Sequence, residues 1–589
     1  MKKIYLFAAV ATLALGSCST DELDIDQKGV LPQEAFYQNE SDAQAALTAV
    51  YYDTFKNFAF MGEVTGYNYG PYFGLTVYQG DDIYMAGSGP DDCVGEREFH
   101  DFRFTSDNIV VLGAYTAFYR SIQKCNLLIN NYPEEKLKLL NESQQKNIRQ
   151  YIAEARAMRA FDHMMLAIYW GNPPIVENVL DAAARPSNAL EEGKTVRDAQ
   201  AKVLKWVVDE IDLALPNLTE RNSPTDKAGA VRITKGFANA IKGKALLWKG
   251  DYAAAKEALG NVIKSGKYQL VPSERMGELL HADGKADEES VFEFNLEFDE
   301  KVVGYFDIAG RTGWNAHMTF NWRFENMQNG SSVADAQVNN NGWGWMNPTG
   351  DFARTLIEND GMESARRKAW IMTYDEYLYN VQWSDDENFA PGKTDFKAKD
   401  KSRGINSVGV YGCEGYFNWK TVVHKAQNDI CSANEGQRNF NIMRYAEVLL
   451  MYAECCAQLN ETTGDGLKYL NDIQKRAQAK HISTACTLDE VKKEKMLELW
   501  MEGGRSADLI RWGDTKALEN ADSYVPTFRD KLTDGMASEH EGYISADGAD
   551  FYKKTYSNIL GYKNGKHEFL PFPKRAVDLN SNLVQNPGW

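Results

Sequence analysis

The chain has 589 residues, with 83 acidic against 65 basic side chains, and a formal net charge of −18 at pH 7. With 43% hydrophobic and 25% charged residues, its composition is that of a globular protein, which argues against a disordered chain. The acidic balance argues against a nucleic-acid binder, because such a protein needs a basic face to neutralise phosphates. The length allows several domains.

The N-terminal residues predict export. Lys2 and Lys3 precede an apolar run that ends at Leu15-Gly16-Ser17-Cys18, and this pattern is typical of a secretory signal over residues 1–17, too short to span a bilayer. Small residues directly before a cysteine resemble a bacterial lipoprotein cleavage site, which implies lipidation of Cys18. An ordinary signal peptide with a chance cysteine is the alternative. Residues 18–39 then form an acidic tether, and we expect a soluble body that is held to the membrane by lipid alone.

The cysteines and histidines predict neither a disulfide framework nor a metal site. Of eight cysteines, seven follow Cys18 without regular spacing, and an odd number is a poor basis for disulfides. No two of the eight histidines have metal-ligand spacing, and no Gly-x-Ser-x-Gly elbow is present. Gly193-Lys194-Thr195 resembles the end of a phosphate loop but lacks its first glycine, so we interpret it as a chance match. We expect no cofactor and no metal, although the sequence leaves open whether calcium orders a loop.

Much of the chain has helical periodicity. Apolar residues recur at three- and four-residue spacing from Ile148 to Ile168, and Gly171 to Pro174 end that helix. The other predicted helices span 234–249, 252–264, 443–459, 466–479 and 488–501. Residues 246–258 resemble the turn of a tetratricopeptide helix pair, which buries its faces only by stacking on neighbouring pairs.

Two regions lack this period. Residues 60–107 are rich in Gly and Tyr, and residues 268–440 mix short alternating runs, such as 291–296, with long polar loops. We therefore predict a mainly α protein with minor β-structure in three parts: an N-terminal helical region at 40–267, a loop-rich insertion at 268–440, and a C-terminal helical region at 441–589. Long loops on a rigid scaffold often carry binding residues, so the insertion is the candidate ligand-binding surface.

Several motifs, in a fixed order along the whole chain, carry a resemblance to one family. They are IAEARAMRAF at 152–161, YWGNPP at 169–174, RYAEVLLMYAE at 444–454, ELWMEGGR at 498–505, DLIRWG at 508–513, LPFP at 570–573 and QNPGW at 585–589. Together they resemble the SusD/RagB family of outer-membrane, nutrient-binding lipoproteins of Bacteroidetes. The departures, Phe572, Trp589 and Cys455, replace an aliphatic residue, a Tyr and an Ala of the family pattern.

The resemblance implies a tetratricopeptide-type scaffold that lids a SusC-like TonB-dependent transporter. Its members capture a nutrient at the cell surface, most often an oligosaccharide, and we expect the same non-enzymatic role here. Some family branches capture peptides or glycopeptides, which is the alternative. A glycoside hydrolase would need two positioned carboxylates, and neither the family nor the motifs favour one.

Six charged residues within the C-terminal motifs could be mistaken for an acid–base centre. They are Glu454, Glu498, Glu502, Arg505, Asp508 and Arg511. Because they recur within helical motifs, we predict ion pairs between packed helices, which perturb pKa values without catalysis.

Aromatic residues in the two loop regions are the predicted ligand contacts. Four of 13 tryptophans fall within residues 314–345, where flat rings could cover the apolar face of a sugar while polar neighbours bond its hydroxyls. Trp343 and Trp345 lie in a segment that resembles a structural part of the family, so packing is their alternative role. The predicted glycan contacts are Trp314, Trp322, Trp343, Arg311 and Asn315 in the insertion, with Tyr72, Tyr78, Tyr84 and Asp81 in the earlier loop.

Overall fold

A computed structural model describes most of the two helical regions and parts of the insertion. The described residues are 36–59, 70–87, 92–181, 183–296, 320–323, 327–328, 342–374, 376, 404–405, 410–422, 439–520, 525–528 and 560–589. Cys18, Arg311, Trp314 and Asn315 lie outside them.

Helices make up most of the described chain, as the sequence predicts. In chain order they are α1 (Glu40–Ala59), α2 (Pro71–Val77), α3 (Val94–His100), α4 (Ile109–Asn130), α5 (Glu134–Leu137), α6 (Glu142–Trp170), α7 (Val196–Ala214), α8 (Lys227–Ala230), α9 (Lys235–Lys249), α10 (Tyr252–Lys264), α11 (Gly350–Asp360), α12 (Ala365–Trp370), α13 (Tyr445–Gln458), α14 (Asp465–Arg476), α15 (Leu488–Glu498), α16 (Arg505–Trp512) and α17 (Lys574–Leu579).

The strands are short and pair two by two. They are β1 (Ile83–Met85), β2 (Ser290–Phe294), β3 (Met327–Gln328), β4 (Met346–Pro348), β5 (Ile371–Thr373), β6 (Gly404–Ile405), β7 (Val410–Tyr411), β8 (Tyr416–Asn418), β9 (Phe440–Arg444), β10 (Glu519–Asn520), β11 (Thr527–Phe528) and β12 (Leu560–Gly561). The antiparallel pairs are β1–β4, β2–β9, β3–β6, β5–β8, β7–β11 and β10–β12. The mainly α prediction with minor β-structure is confirmed.

Local sequence sets the helix ends. Asn141 caps α6 in a capping box with Gln144, and α6 ends at Gly171, whose φ of +73° favours glycine. Thr195 forms a second capping box at the start of α7, so the Gly-Lys-Thr sequence serves as a helix cap. Gly250, with φ of +84°, ends α9, and the Asp251 carboxylate accepts from the Ala254 N–H to begin α10.

The long helices pack successively around one apolar core. Helix α1 packs on α4 and α6, α6 on α7, α7 on α9, α9 on α10, and α10 on α13. Stacking of adjacent helix pairs is the packing that the tetratricopeptide-like turn predicts. Where no long period appears, the described residues 70–87 and 92–107 contain α2, α3 and the three-residue β1.

Buried ion pairs join the C-terminal helices to each other and to the insertion. The Glu498 carboxylate lies 3.0 Å from Arg444 and 3.2 Å from Arg366, and it also pairs with Arg476, with all four side chains nearly inaccessible to solvent. These guanidinium groups hold the pKa of Glu498 down to about 2, although burial acts in the opposite direction.

The remaining predicted charges are paired in the same way. Arg511 pairs with Glu454 at 2.6 Å and with Asp508 at 2.8 Å, and Glu502 accepts from Arg444 at 2.6 Å. Arg505 pairs with Asp81. The prediction of structural ion pairs is confirmed.

Among the described residues, no helix is both long and apolar enough to cross a membrane. The six described cysteines are free thiols, and burial raises their pKa values. No group of three or more His, Cys, Asp and Glu side chains in the described part of the chain could hold a metal ion.

Candidate ligand-binding surface

The Tyr- and Gly-rich loop and the insertion meet through backbone pairing. Strands β1 and β4 are antiparallel, with Tyr84 opposite Asn347, and the Ala86 N–H donates to the Trp345 carbonyl at 2.7 Å. The Thr349 N–H donates to the Asp82 carbonyl at 3.1 Å. The structure therefore brings these two regions together, because residues 83–85 and 346–348 share one sheet.

Tyr84 is inside this junction. Its side chain is 0% exposed, and its hydroxyl donates to the Glu414 carboxylate at 2.5 Å. The Gly350 N–H donates to the same carboxylate at 2.9 Å, and burial raises the pKa of Glu414 to about 7 despite both hydrogen bonds. Tyr84 therefore fastens the loop to the insertion and has no open face for a ligand, which corrects the expectation from sequence.

Asp81 anchors the same loop to the scaffold. Its carboxylate accepts two hydrogen bonds from the Arg505 guanidinium, at 2.7 and 2.9 Å. The adjacent Asp82 is buried, and burial together with repulsion from Asp81 raises the pKa of Asp82 to about 7. Asp81 is only partly exposed, so its observed contact is structural.

The other two tyrosines of the loop also pack internally. Tyr72 lies 5.0 Å from Phe58 in a stacked arrangement and is 8% exposed, while Tyr78 is 0% exposed. Both belong to helix α2 or its C-terminal cap, and their apolar rings contribute to the main core. The burial of Tyr78 corrects the prediction that it contacts a ligand, whereas Tyr72 packs in the core and also lines two small cavities.

Trp322 is buried as well. It is 2% exposed, its indole N–H donates to the Asn418 carbonyl at 2.9 Å, and its ring lies 5.5 Å from Phe417 and 5.6 Å from Trp419. A ring enclosed in this way has no face on which a sugar could stack. Of the two roles considered for Trp322, the structure supports packing.

Among the described residues around this junction, several aromatic side chains remain partly exposed. Trp343 lies 5.3 Å from the buried Trp345, and Trp419 covers Trp322. Tyr411 lies beneath the Arg97 guanidinium, 5.7 Å from the ring centre. We call Trp343, Tyr411 and Trp419, together with the neighbouring pair Asp92 and Arg323, the insertion surface.

Contacts along the chain connect these residues. The Gly342 N–H donates to the Trp322 carbonyl, and Arg323 lies 3.6 Å from the Asp92 carboxylate. Cys93 follows Asp92, and its thiol donates to the Ala86 carbonyl, which brings this segment to the end of β1. The insertion surface therefore combines flat rings with a carboxylate and a guanidinium, groups that can cover a sugar face and bond its hydroxyls.

Sequence reasoning missed Tyr411, Trp419 and Asp92. Four aromatic residues fall within nine positions, at Tyr411, Tyr416, Phe417 and Trp419. That density of aromatic residues could have marked the segment as a candidate ligand contact. The alternation of side chains along β8 does not by itself show which of these rings pack against Trp322.

The comparisons with known proteins agree with this fold. A family model described as the SusD family matches residues 282–589, just over half of the chain. The protein therefore belongs to the SusD family. A SusD-like protein of Bacteroides ovatus is 22% identical, in an alignment that covers 100% of this chain and 97% of that relative.

Two solved structures extend the comparison to three dimensions. One is surface glycan-binding protein A from Bacteroides thetaiotaomicron in complex with laminarihexaose, which is 20% identical with a TM-score of 0.63. The alignment covers 93% of this chain and 99% of that protein. A laminarin-binding SusD-like protein is 21% identical with a TM-score of 0.64, and covers 94% of this chain and 100% of its own. At these identities the likeness shows a shared fold.

Proposed function

We propose that this protein is a non-enzymatic, cell-surface glycan-binding lipoprotein. It captures an oligosaccharide at the insertion surface and delivers it to a SusC-like TonB-dependent transporter in the outer membrane. The observation that carries the proposal is the partly exposed set Trp343, Tyr411 and Trp419 beside Asp92 and Arg323. Membership of the SusD family supports it, as does the fold that the chain shares with a glycan-binding protein in complex with laminarihexaose and with a laminarin-binding SusD-like protein.

The insertion surface suits a sugar better than an extended peptide. A peptide site offers apolar pockets or an unpaired strand edge, whereas the partly exposed groups of the insertion surface are flat rings beside a carboxylate and a guanidinium. Stacking on a shallow surface buries little area, so we expect modest affinity for each sugar unit.

The buried carboxylates support a binding role over catalysis. Glu498, Glu502, Glu454 and Asp508 are held in ion pairs, and Glu414 is engaged by Tyr84 and Gly350. A glycoside hydrolase needs two carboxyl groups that face the substrate from either side of the bond that breaks. These carboxylates serve the fold instead.

The N-terminal segment supports the membrane and partner parts of the proposal. Cys18 follows a short apolar run and small residues, as in a bacterial lipoprotein signal. Acyl chains on Cys18 would anchor the chain, and stable anchoring needs more than a single myristoyl group. Labelling with a palmitate analogue should modify the wild-type chain and leave Cys18→Ser unlabelled, and labelling of C18S would contradict this part.

The binding proposal is tested by electrophoresis of the full chain through gels that contain plant, host or microbial polysaccharides. We expect one glycan to retard the wild type, and Trp343→Ala or Tyr411→Ala to reduce the retardation about tenfold or more. Tyr52→Ala is the matched control, because Tyr52 is an exposed tyrosine on α1, outside the insertion surface. Circular dichroism and melting temperature confirm that each variant is folded.

Three outcomes would contradict the proposal. Retardation by no polysaccharide would exclude glycan capture by this chain alone, and binding of a peptide panel at the same surface would assign peptides instead. Release of reducing ends by the purified chain would show an enzyme. The partner is tested separately by purifying the tagged chain from outer membranes, where absence of a TonB-dependent transporter would exclude delivery to one.

A further inference from the structure

A cavity separate from the insertion surface lies in the helical scaffold, where several helices begin or end. Its volume is about 550 Å³, within the range of roughly 300–1,000 Å³ that ligand pockets occupy. Its lining comes from the first turn of α7, the turn between α9 and α10, the end of α13, the start of α15 and the end of α16. No residue of the insertion surface contributes to it. We call it the helix-end groove.

Three aromatic side chains line the helix-end groove, and all are partly exposed: Trp248, Tyr252 and Trp512. The Arg511 guanidinium lies 5.1 Å from the ring centre of Trp248 and 5.3 Å from that of Trp512. Rings that flank a fixed cation in this way gain attraction from its charge. The groove therefore has flat walls in a defined arrangement.

Ion pairs behind these rings hold them in place. Arg511 is paired with Glu454 and Asp508, and the Trp512 indole N–H donates to the Glu454 carboxylate at 2.8 Å. Lys495 also pairs with Asp508, so that two cations, Arg511 and Lys495, face two carboxylates, Glu454 and Asp508. Because the cations and carboxylates behind the rings balance each other, this layer supplies rigidity and little net charge.

The residues that line the helix-end groove carry a net positive charge, although the whole chain has a net charge of −18. Among the described residues that line the groove there is no Asp or Glu, but there are Arg197 and Lys249, both exposed. Arg197 lies over the Phe569 ring at 4.6 Å and donates to Gln200 at 3.0 Å, without a carboxylate within 4 Å in the described structure. The Glu568 carboxylate attracts the Arg197 guanidinium electrostatically from a longer distance.

Lys249 is only weakly engaged. Its ammonium is 3.9 Å from the Asp251 carboxylate, and both groups are largely exposed, so this contact is worth little. The Gln458 amide also lines the groove and makes no hydrogen bond to any other described residue. The rim therefore offers two cations to an anion and an amide to a hydroxyl.

We propose that the helix-end groove is a second ligand site, which takes a negatively charged sugar residue of the uronic acid type. The sugar ring lies against Trp248, Tyr252 or Trp512, its carboxylate lies between Arg197 and Lys249, and Gln458 bonds a hydroxyl. Flat walls without a strand edge among the lining residues favour a ring-shaped ligand over an extended acidic peptide. The site does not depend on the function proposed for the insertion surface.

Isothermal titration calorimetry of the full chain in mild detergent tests this site. The probes are trigalacturonate, alginate oligomers and hyaluronan fragments, with galactotriose as the neutral counterpart. We expect at least one uronate probe to bind, to bind at least tenfold more tightly than galactotriose, and to weaken as NaCl is raised, because screening acts on exposed charges.

The double variant R197Q/K249Q should weaken uronate binding tenfold or more. The matched control is K202Q/K205Q, which removes two exposed lysines from the same helix α7 outside the groove, and it should bind as the wild type does. Tyr52→Ala, on α1 and outside both surfaces, should also leave uronate binding unchanged.

Four results would overturn the proposal. They are failure of every uronate probe to bind at millimolar concentration, equal binding by R197Q/K249Q and the wild type, an equal loss in K202Q/K205Q, and tighter binding of a tetraglutamate peptide than of any uronate probe. The last would assign the groove to an acidic peptide. Loss of uronate binding in Trp343→Ala would instead place that binding at the insertion surface.

Discussion

The buried cluster around Glu498 and the insertion surface use charged residues in opposite ways. In the cluster, Glu498 is enclosed with Arg444 and Arg476 of the C-terminal region and with Arg366 of the insertion, and their charges satisfy one another. At the insertion surface, Asp92 and Arg323 are partly exposed and 3.6 Å apart. The same residue types therefore stabilise the fold in one region and remain accessible in the other.

The difference lies in how each region is held together. Long helices stack on one core, so their charged groups can be buried only when they are paired. The insertion has strands of two to five residues, and its Glu414 contacts Tyr84 of the Tyr- and Gly-rich loop, which Asp81 and Arg505 join to the scaffold. We therefore expect the buried cluster to contribute more to stability than these contacts near the ligand surface.

The largest effect should follow from breaking the buried cluster. Glu498→Ala leaves Arg366, Arg444 and Arg476 with one partner fewer in a water-excluded site. Removing one partner of a buried ion pair costs about 3–5 kcal/mol. We expect that loss in the free energy of unfolding, measured by urea denaturation followed by circular dichroism.

An exposed pair supplies the control for this change. Glu191 and Lys202 are 65% and 70% exposed, and Glu191→Ala should leave the free energy of unfolding nearly unchanged, because exposed ion pairs contribute little. Equal losses in E191A and E498A would show that the buried cluster does not carry the stability of the scaffold.

A smaller effect, and one that depends on pH, should come from Glu414 in the insertion. Its pKa is raised from 4.5 to about 7, so the folded state binds more protons between these values. Its contribution to stability is therefore fully present below about pH 4.5 and is lost as the pH rises through about 7. Glu414→Gln removes this titration while its carbonyl can still accept from Tyr84 and Gly350.

The test compares wild-type and E414Q stability at pH 5 and pH 8 by urea denaturation. The wild type should lose about 1–3 kcal/mol more than E414Q over this interval, since one pKa unit corresponds to about 1.4 kcal/mol. Parallel pH profiles would contradict the raised pKa. Asp82, whose pKa is also raised to about 7, titrates in both proteins and cancels in the difference.

The smallest effect should come from the tie between loop and scaffold. Asp81→Asn weakens the two hydrogen bonds to Arg505, which is partly exposed. We expect a loss of about 1 kcal/mol and faster amide hydrogen exchange over residues 81–87, because local opening follows the loss of local contacts. Unchanged exchange there would show that the β1–β4 pairing alone holds the loop.

Periodicity predicted six of the scaffold helices, α6, α9, α10, α13, α14 and α15, but not the long helices α1, α4 and α7. The predicted helix at 252–264 has the same bounds in the structure, and 234–249 differs by one residue. The charged residues of the C-terminal motifs were also interpreted correctly, because charges on apolar-patterned helices must be paired when they are buried. For the ligand surface, only Trp343 and Asp81 among the described predicted contacts are partly exposed.

The sequence by itself determined several helices, because a helix depends on spacing within a few turns, and it marked six charged residues as structural. The tertiary structure decided the partners of these charges, since Arg366 lies 132 positions from Glu498. Only the tertiary structure decided which aromatic rings are buried, since Tyr84 meets a carboxylate 330 positions away and Trp322 a carbonyl 96 positions away. The helix-end groove has the same origin, because its lining comes from the ends of separate helices. Such surfaces have no period along the chain and exist only once the helices have packed.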